Sequence, residues 1–249
     1  RTIKTTLETK WEPSVEQINN AINENTKMII LNYPNNPTGK ILPEELQHSI
    51  IQTAKEHDLY VLSDEIYSEY TMGVTATGPL REHVGVWFSY KKSIITQSFS
   101  KSKAMTGYRI GYVIAEPHVI DKMSKLQALS LTNVSEPIQY AALQALKADT
   151  LEHFSGMISD RQITLCDLAK DIGLEFIEPD GAMYLFAKTK YKNFDATKFS
   201  EKLLERGVAI APGEGFGDYK EFFRITAIDE TKLKEGMIIL DTVLKESYE

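Results

Sequence analysis

The chain has 249 residues, 42% hydrophobic and 25% charged, which is the composition of a globular protein with room for one large domain or two modest ones. Its net charge of −7 is spread along the chain; without a Lys/Arg stripe this disfavours nucleic acid as a partner, and no run approaches the ~20 apolar residues of a membrane span. A single cysteine, Cys166, excludes an intramolecular disulfide or a cysteine metal site and fits a reducing, cytoplasmic setting.

The chain opens at Arg1 and enters what reads as mid-domain sequence, the expectation for a processed or truncated chain, with no signal peptide. Ser14 followed by Gln17 resembles a capping box, with Val15, Ile18, Ala21 and Ile22 at helical spacing behind it. KMIILN (27–32) reads as a buried strand that meets a Pro/Asn/Gly loop. A helix starts at Pro43 and runs to about His57, with Leu46, Ile50 and Ala54 on one face, and LYVLS (59–63) forms a second buried strand. Strand, helix and strand in this order form a βαβ unit and predict parallel pairing with a right-handed crossover.

Residues 71–82 read as loop, strands follow at SIITQ (93–97) and IGYVIA (110–115), and helices dominate from about 117 to 172. Beyond 173, EFIE, AMYLFA, VAIAP and FFRITAI read as short strands, with helices at about 195–206 and 229–247. The expected organisation is α/β, with a mostly parallel sheet over residues 1–150. A long helix then leads into a smaller α+β domain over 151–249.

Polar residues gather after the strands: Asn36 after the first, Asp64 and Tyr67 after the second, and Ser98, Ser100 and Lys101 after the third. Ligands of open α/β sheets bind outside the carboxyl ends of the strands. Each cluster alone is ordinary turn or cap chemistry; three together point to one crevice.

The run SFSKSKAMTGYRIG (98–111) resembles the lysine-attachment signature of the class I/II, fold type I, pyridoxal-phosphate aminotransferases. NNPTG (35–39), DEIY (64–67) and FFRI (222–225) are similar to that family's Asn-Pro-Thr-Gly loop, Asp-x-x-Tyr element and C-terminal Arg strand, in the same order and at matching intervals. The wording MTGYRIGY is most similar to the aspartate/aromatic branch.

This resemblance implies a fold type I α/β protein with pyridoxal 5′-phosphate bound to Lys101 as a Schiff base. It makes Lys101 the group that moves the substrate's Cα proton, and Asp64 the carboxylate against the pyridine nitrogen. Asn36 and Tyr67 become donors to the phenolic oxygen, Ser98, Ser100 and Arg109 the phosphate ligands, and Arg224 the fork that grips the substrate α-carboxylate, with Asn36 also at the substrate. The implied catalytic set is Lys101, Tyr67 and Asp64, with no metal. An amino acid and a 2-oxo acid are the implied substrates, in a cytoplasmic biosynthetic enzyme that is a homodimer at full length. The resemblance covers only the central and C-terminal parts of such proteins, so these 249 residues alone are expected to bind cofactor poorly and to expose apolar surface.

Several neighbours are read differently. Lys103 matches no family position and is expected to be solvated, Glu65 to point away from Asp64, and Gly107 to serve a close backbone approach or a positive φ. PGEGFG (212–217) lacks the following helix of a phosphate loop and reads as a turn near Arg224. The five histidines, 48, 57, 83, 118 and 153, show no metal-ligand spacing. Rival readings are a β-lyase or decarboxylase on the same fold, the aminotransferase-like sensor domain of a transcription regulator, and an inert fragment.

Overall fold

The computed structural model describes residues 1–71, 89–148 and 151–248. Most of the loop expected over 71–82, and His83, lie outside the described residues. The chain divides into two compact units, residues 1–34 with 41–155, and residues 35–40 with 156–249.

In the first unit the Ser14–Gln17 capping box forms in both directions, with Gln17 N–H donating to Ser14 Oγ at 3.1 Å and Ser14 N–H to Gln17 Oε1 at 2.8 Å. It starts α1 (Val15–Ala21). Strand β1 (Met28–Asn32), helix α2 (Glu44–Glu56) and strand β2 (Tyr60–Asp64) are the expected βαβ unit, with β1 and β2 parallel from Met28↔Tyr60 to Asn32↔Asp64. The apolar stripe of α2, Ile50, Ile51 and Ala54, packs with Leu31, Val61 and Ile95 into one core.

Strand β3 (Ser93–Ser98) continues the parallel sheet on β2, whereas β4 (Gly111–Ile114) pairs antiparallel to β3, so the sheet order is β1-β2-β3-β4. Residues 99–110 between β3 and β4 fold into a loop with a 3₁₀ turn (Thr106–Tyr108) rather than a crossover helix, so the chain returns antiparallel. Helices α3 (Pro117–Ser130) and α4 (Glu136–Lys147) follow. Helix α3 buries no residue, and Ile30, Leu126, Leu129 and Leu131 are 65–86% exposed, so this unit carries open apolar surface.

Helix α5 (Leu151–Asp171) leads into the second unit. There β5 (Glu175–Phe176), β6 (Tyr184–Lys188), β7 (Ala211–Pro212) and β8 (Phe222–Thr226) form an antiparallel sheet in the order β5-β6-β8-β7. Strand β7 covers only the last two residues of the expected 208–212, paired to Arg224 and Phe223, and a 3₁₀ turn (Gly213–Phe216) follows at once. Helices α6 (Ala196–Glu205) and α7 (Glu230–Tyr248) supply Phe199, Leu203, Met237 and Leu240 to a core shared with Leu165, Leu185 and Phe223. The buried Gln162 of α5 donates from Nε2 to the Tyr184 carbonyl at 2.8 Å, which fixes the start of β6.

Candidate active site

The parallel register aligns Asn32, Asp64 and Thr96 across β1, β2 and β3, one row at the carboxyl ends of the strands. Asp64 sits between the other two, and each of its oxygens has a donor: Thr96 Oγ1 donates to Oδ1 at 3.1 Å and Asn32 Nδ2 to Oδ2 at 3.0 Å. Two donors from neighbouring strands fix the plane of this carboxylate. Asn32 and Thr96 were not among the expected site residues. Their signal was a polar residue at the end of an apolar run, but the row itself depends on register, which is a tertiary property.

Glu65 is buried and accepts a hydrogen bond from Ser63 Oγ at 2.6 Å. It lines a small cavity of about 20 Å³ with Leu42, Gln47 and Thr71.

Lys101 follows β3 in a loop closed on itself. Ser100 N–H donates to Ser98 Oγ at 3.1 Å, Thr106 Oγ1 to the Ser100 carbonyl at 2.8 Å, and Ala104 N–H to the Lys101 carbonyl at 2.9 Å. Half-buried Lys101 has its Nζ 5.7 Å from the centroid of the Tyr67 ring, and Tyr67 is itself buried. A further support is Tyr70, whose hydroxyl donates to the Lys101 carbonyl. Burial, with a smaller push from Glu69, raises the Tyr70 phenol from 10.0 to about 12, so it keeps its donor proton. Tyr70 too was not foreseen; only the fold brings it to the loop.

Of the expected phosphate ligands, Ser98 is half-buried and donates to the Ile110 carbonyl at 3.3 Å, while Ser100 is buried. Arg109 is exposed, in the left-handed region at φ 54°, and its Nη1 donates to the Thr106 carbonyl at 3.0 Å. Two expectations need correction. Gly107 meets no atom within 4 Å of a built Cβ and has no positive φ; Ala104 and Arg109 take the left-handed conformations that turn this loop. Lys103 is half-buried rather than fully solvated.

The second unit holds the other two expected residues. Arg224 projects from β8, and its guanidinium lies between two rings, 4.3 Å from the Tyr184 centroid and 5.1 Å from that of Phe216. Its Nη1 donates to Asn36 Oδ1 at 2.9 Å, and its buried Nε has no hydrogen-bond partner among the described residues. Phe216 comes from the PGEGFG run, so that run is a turn beside Arg224, as expected. Gly213 is required there, because a Cβ would come within 2.2 Å of the Tyr219 carbonyl oxygen. Tyr184 and Phe216 were not expected as partners of Arg224.

A strand-end carboxylate, a lysine loop and an arginine held ready by aromatic rings are thus all present, and residues 1–238 match the profile of the family "Aminotransferase class I and II". The chain belongs to that family. It is 34% identical over 249 residues to an aspartate aminotransferase of Thermococcus kodakarensis, covering 99% of this chain and 63% of the relative. It is also 34% identical over 251 residues to an asparagine–oxo-acid transaminase of Streptococcus mutans, covering 94% of this chain and 62% of that protein. The crystal structure of an aspartate aminotransferase from Thermotoga maritima superposes with a TM-score of 0.88 at 31% identity, over 98% of this chain and 63% of that one. The chain therefore spans a little under two thirds of the length of the relatives it matches.

The family's cofactor is pyridoxal 5′-phosphate, a phosphorylated pyridine aldehyde. The donor set of this chain fits that group. In the first unit Lys101 offers an amine, Asp64 a pre-oriented hydrogen-bond acceptor, Tyr67 a phenolic hydroxyl, and Ser98, Ser100 and Arg109 hydroxyls and a cation of the kind a phosphate needs; in the second, Asn36 offers an amide. Among the described residues no helix is long and apolar enough to cross a membrane.

Proposed function

We propose that this chain is the catalytic part of an enzyme that moves an amino group from an L-amino acid of aspartate or aromatic type to a 2-oxo acid, with pyridoxal 5′-phosphate held on Lys101. The observation that carries the reading is the Asp64 carboxylate, fixed on both oxygens in the strand-end row and followed in sequence by the lysine loop. When bound, the cofactor supplies an aldehyde for the amino group and an electron-poor ring that withdraws the electron pair left at the substrate Cα.

The chain's own residues do the rest. Asp64 accepts the ring N–H and so favours its protonated, electron-withdrawing form. Tyr67 and Asn36 donate to the phenolic oxygen; Ser98, Ser100 and Arg109 bind the phosphate. Arg224 takes the substrate α-carboxylate in a forked pair, which selects amino and oxo acids over simple amines. Lys101 takes the proton from Cα as a general base and delivers it as an acid to the carbon derived from the cofactor's aldehyde, not back to Cα. We extend the reading, on the family resemblance, to a cytoplasmic homodimeric enzyme of amino-acid biosynthesis.

The test is a screen of amino donors against 2-oxoglutarate, read as glutamate and the matching oxo acid, beside a Lys101→Ala control. Transfer with aspartate or an aromatic donor, lost in the control, is the expected result. Release of ammonia and pyruvate without glutamate would replace the reading by a β-lyase. Absence of any turnover or cofactor retention in the full-length enzyme would overturn it.

A further inference from the structure

The loop that carries Asn36 is bonded internally and then fastened to one turn of the second unit. Asn35 N–H donates to the Lys40 carbonyl at 2.8 Å, and Gly39 N–H to the Asn35 carbonyl at 2.8 Å. Thr38 donates twice to Asn35 Oδ1, from N–H at 3.1 Å and from Oγ1 at 2.8 Å. This six-residue segment is therefore a preformed unit with little freedom of its own.

Three bonds fix it to the turn that precedes β6. The Gly39 carbonyl accepts from Asp180 N–H at 2.9 Å and from Gly181 N–H at 2.8 Å, and Lys40 Nζ lies 2.6 Å from Asp180 Oδ2. The fit is close: Gly39 has φ +70°, and a Cβ there would come within 2.4 Å of Pro179 Cβ. The same turn leads directly to Tyr184, one of the two rings that hold the Arg224 guanidinium. Asn36 and Arg224 thus meet because one turn supports both.

The ion pair is the unusual part of this fastening. The Lys40 side chain is 11% exposed while that of Asp180 is 41% exposed, so a nearly buried lysine reaches out to a carboxylate that stays partly in solvent, and an ion pair of this kind adds little net stability. Such pairs are better suited to fixing one geometry. We infer that Lys40 and Asp180 are positioning residues, a latch that sets Asn36 Oδ1 against Arg224 Nη1 and thereby holds the guanidinium fork ready for a carboxylate. This inference rests on the proposed role of Arg224, and it names supports outside the signature motifs.

The test uses the active holoenzyme that carries these residues. Lys40→Met and Asp180→Asn each remove one side of the ion pair, so their folding is checked by thermal melting; the double variant K40M/D180N removes both charges and is expected to keep the fold, which the same melt checks. For the double variant the dissociation constant of succinate, measured by calorimetry, and the KM for both substrates are expected to rise about ten- to a hundredfold, as misplacement of a binding group does, with kcat changed far less. Lys40→Arg, which keeps the cation, is expected to stay within a few-fold of wild type.

A crystal structure of the double variant provides the independent readout, and the Asn36–Arg224 hydrogen bond is expected to be lost in it. If that bond persists, or if a folded double variant binds succinate as tightly as wild type, the latch is refuted. If the wild-type enzyme itself neither binds succinate nor transfers an amino group, the proposed function fails, and the latch is judged on the crystal structure alone.

Discussion

Replacing Tyr70 with Phe removes one hydroxyl and nothing else from the support of the lysine loop. In the wild type that hydroxyl and the Ala104 N–H both donate to the Lys101 carbonyl, so the carbonyl keeps a partner in Tyr70→Phe. The cost is then the net value of one hydrogen bond, about 1 kcal/mol, rather than the larger penalty of an orphaned buried acceptor. In a chain of this size that lowers the melting temperature by about 2–4 °C. If the same bond restrains Lys101 while it moves the Cα proton, kcat falls by about fivefold for about 1 kcal/mol of barrier, and KM for both substrates stays near the wild-type value.

The pH dependence gives an internal check. The folded Tyr70 is raised from 10.0 to about 12, so its stabilising contribution is fully present below the unfolded value and is lost as pH rises from there through about 12. The stability gap between wild type and Tyr70→Phe should therefore hold constant up to about pH 10 and close above it. Paired thermal melts and steady-state kinetics measure both effects. An unchanged melting temperature together with an unchanged kcat, or a KM rise at constant kcat, would falsify the positioning role.

Four further outcomes are expected. Asp64→Ala should lower kcat by about 10²–10³-fold, the usual effect of removing one electrostatic partner from a reacting group, measured in single turnovers with saturating cofactor. Arg224→Lys keeps the charge but loses the fork; KM for amino and oxo acids should rise by about ten- to a hundredfold, the value of a charge-assisted bidentate contact, seen in initial-rate kinetics. Asp195 caps α6 through the Lys198 N–H, which is the largest cause holding its carboxyl below 3.8, so its contribution is present above the unfolded value and is lost as pH falls through the lower folded one. Asp195→Ala should cost about 1 kcal/mol at neutral pH, and Asp195→Asn should retain the cap and lose the acid dependence, read from melts across that range. Burial, with a push from Glu178, raises the Cys166 thiol to about 12, so iodoacetamide should leave it unmodified in the folded protein and label it after denaturation, as mass spectrometry will report.

The βαβ start of the first unit was legible because its two apolar runs and the stripe of α2 are local patterns. The lysine loop, Asp64, Tyr67 and Arg224 were legible through four motifs in a fixed order. What escaped was whatever depends on contacts between distant residues. Asn32 and Thr96 stand 32 residues on either side of Asp64 in sequence and become its partners only through strand register. The antiparallel return of β4 depends on how residues 99–110 fold, and the left-handed residues of the lysine loop are Ala104 and Arg109, although a glycine was at hand. Residue type announces a left-handed turn less reliably when a tight loop overrides its preference.

Asn36 shows why sequence position can mislead about mechanism. It follows β1, a strand of the first unit, yet its loop is bonded within the second unit, on the turn at Asp180 and on Arg224. The residues assigned to chemistry therefore fall into two sets with separate supports. Lys101, Asp64, Tyr67, Ser98, Ser100 and Arg109 depend on the parallel strands, on Tyr70 and on the loop that follows β3. Asn36 and Arg224 depend on Tyr184, Phe216 and the Lys40–Asp180 latch. Damage to the first set should be felt where the cofactor is held and the Cα proton moves, and hence in kcat and cofactor retention. Damage to the second should be felt chiefly where a carboxylate is gripped, and hence in KM, with loss of Asn36 itself also felt at the cofactor's phenolic oxygen. The division follows from which backbone carries each side chain, and it lets the kinetic signature of a substitution identify the support that was lost.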